Sequence, residues 1–149
     1  MKTRADIALE YFNEGYNCAQ AVFAAFADKY GIDKDTAMKL SSSFGGGMGR
    51  MREVCGAVSG MFMVAGLETG ATEGADADGK AANYQKVREL AEKFKAENGS
   101  IICRELLGLD KAAKESHVPE ARTAAYYQKR PCAELVKMAA EILIEEFGE

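Results

Sequence analysis

The sequence predicts an all-α fold, a single-domain bundle of six to seven helices spanning residues 1–149. Three observations carry this reading. Apolar residues recur at helical spacing, most clearly as the stripe Tyr84, Val87, Leu90, Ala91 and Phe94. Helix caps and breakers punctuate the chain at Asn17, Gly31, Asp33, Gly99 and Pro131. No alternating pattern of strand length and no internal repeat occurs. A chain of 149 residues is long enough to close one sizeable core.

Taken in order, Thr3 to Phe12 reads as a helix anchored by Ile7, Leu9, Tyr11 and Phe12 and broken at Gly15. Asn17 then stands as an N-cap, with Gln20 three residues later completing a capping box. The alanine-rich helix that follows, Cys18 to Tyr30, carries Val22, Phe23 and Phe26 and ends at Gly31. Asp33 caps a third helix through Ala37, Met38 and Leu40. Next come a glycine loop (Gly45, Gly46, Gly47, Gly49), a charged hinge (Arg50, Arg52, Glu53) and the uncharged run Val54 to Leu67. That run is shorter than the roughly 20 residues a membrane span requires, so it predicts a buried helix. Gly56 and Gly60, four apart, share one of its faces and admit the close approach of another backbone or a bulky group.

Glu68 to Lys80 is small and acidic and reads as a surface loop. The amphipathic helix Ala81 to Phe94 follows, closed by Asn98 and Gly99. Ser100 is the expected cap of a short helix from Ile101 to Leu107. Leu109 to Arg130 is polar, with a helix expected around Arg122 to Gln128. Pro131 opens the last helix, whose apolar face is Leu135, Val136, Ala139, Ile142 and Leu143. Met48, Met51, Met61 and Met63 read as core fillers, His117 as an exposed histidine, and Tyr126 and Tyr127 beside Lys129 and Arg130 as a helix packing edge or a partner surface.

The net charge of −4 and the pI near 5.2 argue against a nucleic-acid binder, which would carry a basic excess. The amino terminus shows no apolar signal region, and nothing is long enough for membrane insertion. The expected location is cytoplasmic. There, four cysteines point toward metal or redox chemistry, because structural disulfides are rare in that compartment. Cys18, Cys55, Cys103 and Cys132 lie far apart in the chain, and no C-x-x-C pair occurs. Sequence-local zinc ribbons, the thioredoxin motif and a c-type haem site are therefore excluded. A GGGMG run is not a dinucleotide fingerprint, since no strand precedes it and position 52 is arginine.

All four cysteines fall in or near the first turn of a predicted helix. Helix N-termini present unpaired N–H groups and the positive end of the macrodipole, which favour thiolate. Arg50, Arg52, Arg104 and Arg130 stand close in sequence and add positive charge. Against this, any single cysteine is more often a small buried hydrophobe; the recurrence of all four favours a functional site.

The order of these anchors — N-C-A-Q-A at Cys18, the glycine loop before Cys55-Gly56-Ala57, I-C-R-E-L at Cys103 and P-C at Cys132 — resembles the C_GCAxxG_C_C family of redox-active proteins. The layout is also similar to the N-terminal domain of split-Soret cytochromes c, for which an iron–sulfur centre has been proposed; the haem-binding part has no counterpart here, so haem does not carry over. The resemblance implies a thiol or metal site at Cys18, Cys55, Cys103 and Cys132. Three readings stand. The thiolates bind a [2Fe–2S] cluster for electron transfer, or zinc in a site of four cysteine ligands. Alternatively, one or two pairs cycle between dithiol and disulfide without metal. In the third reading the chain is a helical interaction module with structural cysteines, its glycine face serving packing or a homodimer. The redox partner, any substrate and any enzymatic activity stay open, and metal is preferred narrowly over disulfide. Gly56, Gly60, Arg50 and Arg52 are the expected supports of the site.

Overall fold

Two helices with almost no charge form the middle of the molecule, and the amphipathic ones surround them. A computed structural model describes the chain except for residues 110–115, 125 and 127–129. Among the described residues there are seven α-helices: α1 (Arg4–Asn13), α2 (Cys18–Ala27), α3 (Lys34–Ser42), α4 (Gly56–Thr69), α5 (Ala77–Asn98), α6 (Cys103–Leu106) and α7 (Cys132–Phe147). The all-α prediction holds. The one β feature among these residues is an isolated antiparallel bridge between Val54 and Ile102.

Helix α2 is the hub. Residues Ala19 and Ala21 to Ala27 are all buried, as expected of a helix that is apolar all round, and α2 packs on α1, α3, α4 and α7. Its alanines let these neighbours close in, while Val22, Phe23 and Phe26 fill the space between them. Helix α4 buries Gly56 to Met61, Val64 and Ala65. The predicted glycine face meets α2: a Cβ on Gly60 would lie 2.9 Å from the Val22 Cβ and 3.1 Å from the Ala19 carbonyl oxygen. That face is covered within the chain and is not left over for a second subunit.

The caps explain where most elements begin. Thr3 and Asp6 form a capping box on α1, Asn17 and Gln20 one on α2, and Asp33 caps α3 through the Thr36 N–H. Gly31 and Gly99 close their segments with positive φ (73° and 87°), a conformation glycine adopts without a Cβ penalty.

Several boundaries and anchors differ from expectation. The α-helix from Cys18 stops at Ala27 and tightens into a 3₁₀ turn, Asp28–Tyr30. The acidic loop shrinks, because α4 continues to Thr69 and the Asp76 carboxylate caps α5 by accepting from the Gly79 N–H. Ser100 does not cap α6; Ile102 does, because its pairing with Val54 holds the chain extended up to that point. Pro131 is the cap of α7 and Cys132 its first residue. Tyr84 (63% exposed), Leu40 and Met51 lie on the surface instead of in the core. On α1 the buried stripe is Ala5, Ala8 and Phe12. The helix expected over 122–128 falls partly outside the described residues, of which 124 and 126 are helical; Tyr127 and Lys129 also lie outside them.

Candidate functional site

Each cysteine stands at the start of a helix, and a different local device puts it there. Cys18 is the first residue of α2. The Asn17 side chain accepts from the Gln20 N–H (2.9 Å) and donates to the Ser42 carbonyl (3.0 Å), tying this helix start to the end of α3. Cys55 is the N-cap of α4; its N–H donates to the Ile101 carbonyl (2.8 Å). Cys103 is the first residue of the one-turn α6, and its N–H donates to the Glu53 carbonyl (2.6 Å). The short antiparallel bridge at Val54 and Ile102 thus fixes Cys55 and Cys103 one residue to either side of it. Cys132 follows Pro131, whose fixed φ suits the start of α7.

The glycine loop forms one wall and sets how closely these parts approach. Gly46, Gly47 and Gly49 have positive φ, as do Met48, Arg50 and Arg52. A Cβ on Gly47 would come within 2.7 Å of the Cys103 Cβ and of the Glu53 nitrogen. One on Gly45 would collide with the Asn17 side chain at 2.3 Å. One on Gly56 would sit 3.1 Å from the Cys18 Cβ. Glycine at these positions brings the loop, α4 and two cysteines into contact.

All four cysteines line one cavity of about 60 Å³, together with Gly46, Gly47, Arg52 and Tyr126. Helix starts spread from Cys18 to Cys132 in the chain converge there. Cys55 and Cys103 are buried, whereas Cys18 and Cys132 keep partial exposure. All four are free thiols.

Their electrostatics divide them. Cys18 and Cys132 are hydrogen-bonded to each other, and the pair splits its acidity. The bond from Cys18 lowers Cys132 to about 7; burial opposes this, while Arg130, Arg52 and the Tyr126 hydroxyl reinforce it. Cys18 is pushed well up by giving that bond and by burial. Burial raises Cys55 to about 12 despite the N–H groups of Val58 and Ala57 that favour its thiolate. Cys103 is also raised by burial, although Arg52 Nη1 reaches its sulfur at 3.6 Å. The lowering of Cys132 comes first from the neighbouring thiol and not from its place at a helix start; at Cys55, loss of water outweighs the helix N–H groups, and burial also raises Cys103.

The arginines take unequal parts. Arg52, 7% exposed, enters the thiol cavity. Arg50 turns away from the thiol cavity, donating to the carbonyls of Ser116 and Val118 and pairing with Glu120 (3.5 Å). Arg130 pairs with the same carboxylate (2.5 Å). The Arg104 N–H donates to the Arg52 carbonyl. Two residues were not anticipated for the site. Arg122 donates to the carbonyls of Phe12 (2.6 Å) and Tyr16 (2.7 Å) and lies 4.1 Å from the Phe12 ring centroid. Tyr126, at the cavity edge, is raised to about 12 by burial and by Cys132. A faint signal for Arg122 exists: α1 has no basic residue in its last turn, so its final carbonyls need a donor from elsewhere. His117 is exposed, as expected.

Among the described residues no three His, Cys, Asp or Glu side chains are grouped to hold one metal ion, and no helix is long and apolar enough to cross a membrane. Comparison with known proteins adds two findings. The profile of a family described as "Putative redox-active protein (C_GCAxxG_C_C)" matches residues 16–146. An uncharacterized protein of Archaeoglobus fulgidus is 30% identical, over 95% of this chain and 91% of its own. No solved structure matches the chain.

Proposed function

This chain belongs to the C_GCAxxG_C_C family, and we propose that its four cysteines form an electron-transfer centre holding a [2Fe–2S] cluster. The observation that carries the reading is the single cavity lined by all four thiols at four helix starts. Four cysteine thiolates are the usual complement of such a cluster. Such a cluster would draw two thiolates to each iron, so it does not call for three donors around one point. Cys18, Cys55, Cys103 and Cys132 would together hold it. A single zinc ion would require all four sulfurs to close around one point. When bound, the cluster supplies a one-electron couple. The protein's own part is to exclude water and to offset negative charge with Arg52 and the helix N–H groups. A cytoplasmic setting would keep the thiols reduced and ready to bind.

A second reading is favoured by one specific feature, the Cys18–Cys132 hydrogen bond and the acidity it gives Cys132. The Cys132 thiolate would attack a partner disulfide and release one partner thiolate. The Cys18 thiol, on deprotonation, would then displace the second, leaving a Cys18–Cys132 disulfide and a partner reduced by two electrons.

Anaerobic visible spectroscopy with iron and sulfide analysis separates the two. Broad visible absorption that is lost in each of Cys18→Ala, Cys55→Ala, Cys103→Ala and Cys132→Ala supports the cluster. Colourless, iron-free protein in which mild oxidation joins Cys18 to Cys132 would replace it with the disulfide cycle.

A further inference from the structure

A second, larger cavity of about 420 Å³ opens beside the thiol site. It shares Arg52, Tyr126 and Cys132 with that site and adds Arg50 and Arg130, with Arg122 bordering both. Its size falls in the range of small-molecule pockets, roughly 300–1,000 Å³. Four guanidinium groups line it, and Glu120 is the one carboxylate among its described lining residues. This excess of positive charge belongs to a chain whose net charge is −4, so it is a local concentration and not a reflection of bulk composition.

The bonding within the pocket points the same way. One oxygen of Glu120, Oε1, serves both Arg130 (2.5 Å) and Arg50 (3.5 Å). Two guanidinium groups thus share a single carboxylate oxygen on a half-exposed side chain. Arg122 donates to the carbonyl oxygens of Phe12, Gly15 and Tyr16, which orient the group without neutralising it. Guanidinium forks are suited to carboxylate and phosphate. Glu120 occupies the place an anionic group would take between Arg50 and Arg130, and swinging it outward would leave the fork open.

We propose that this pocket binds a small polyanion, a molecule bearing two or more carboxylate or phosphate groups, held against the Cys132 side of the thiol site. The proposal rests on the redox reading only in taking that ligand as the centre's substrate or electron-exchange partner; the binding itself stands on the pocket.

The test is calorimetric titration of the purified protein with pyrophosphate and, separately, citrate at constant ionic strength. The tighter of the two tells phosphate from carboxylate chemistry. Saturable binding of at least one is expected. Arg130→Gln should weaken it about tenfold, the scale of one charge-assisted hydrogen bond. Glu120→Gln should tighten it, since it removes the competing carboxylate while leaving the arginines in place. If Arg130→Gln fails to fold, the opposite sign expected of Glu120→Gln still decides. Absence of saturable binding to both wild type and Glu120→Gln, or equal affinity across the variants, would overturn the pocket. Visible spectra of the same samples keep the two ideas apart: a colourless protein that binds the polyanion sinks the cluster alone, and a coloured one that does not sinks the pocket alone.

Discussion

At Cys132 four influences meet on one sulfur: a thiol hydrogen bond from Cys18, the positive charge of Arg130 and Arg52, the Tyr126 hydroxyl, and burial that opposes the rest. The first is the largest, which gives a clear expectation for the metal-free protein. Alkylation by iodoacetamide should begin at Cys132 and follow a pH profile with a midpoint near 7, well before the other three thiols react. In Cys18→Ala the hydrogen bond is gone, so the midpoint should move up toward the ordinary thiol range. Peptide mass mapping of the alkylated protein across pH reads both effects. An unchanged midpoint in Cys18→Ala would mean that the arginines, not the neighbouring thiol, set the acidity. Cys55 marks the opposite limit, where burial at 4% exposure outweighs the N–H groups at the head of α4.

Among the elements, α4 shows how glycine is used and where it is merely tolerated. Gly60 sits against Val22, so Gly60→Ala forces α2 and α4 apart and should destabilise by about 1–3 kcal/mol. Gly66 lies on the exposed side of the same helix with open space where a Cβ would go, so Gly66→Ala should stabilise by about 0.5–1 kcal/mol. Gly47→Ala meets both positive φ and the Cys103 Cβ, and should cost about 2–5 kcal/mol and disturb the thiol cavity. Urea unfolding of the three variants tests the order. Local signals of this kind were legible in the sequence. Asn17 with Gln20, Asp33, Gly31 and Gly99 act at short range, so the helix starts that carry Cys18 and, through Pro131, Cys132 could be placed by reading alone. The register of α6 could not, because the Val54–Ile102 bridge that decides it pairs residues far apart in the chain. The recruitment of Arg122 to the end of α1 and the sharing of Glu120 by two arginines were hidden for the same reason. The convergence of four cysteines was an inference from their common position at helix starts; the cavity that unites them is a property of the packing around α2.

For the whole molecule, the thiols couple the site to folding, and pH exposes the coupling. In the metal-free state the folded protein holds protons on Cys55, Cys18 and Cys103 more tightly than the unfolded chain does. Between the ordinary thiol range near pH 9 and about 12, where Cys55 titrates, the folded state therefore binds more protons, and stability must fall as pH rises. Cys132 has the reverse sign. Its lowered value means that the unfolded chain binds more protons between about 7 and 9, so its contribution is present above 9 and is lost as pH falls through 7. The thiols together thus favour a stability maximum around pH 9, with decline on the alkaline side. On the proposed cluster reading, loading would change this. Bound thiolates would carry no protons to lose, and ligands drawn from α2, α4, α6 and α7 would tie together segments that unfolding separates. The loaded protein should accordingly show a higher urea midpoint than the metal-free form at pH 7.5, and a gap that widens at pH 10. Midpoints measured for both forms at the two pH values provide the check. A gap that stays constant would mean that the thiols are already ionised in the metal-free folded protein across this range, contrary to the raised values that burial gives Cys55, Cys18 and Cys103.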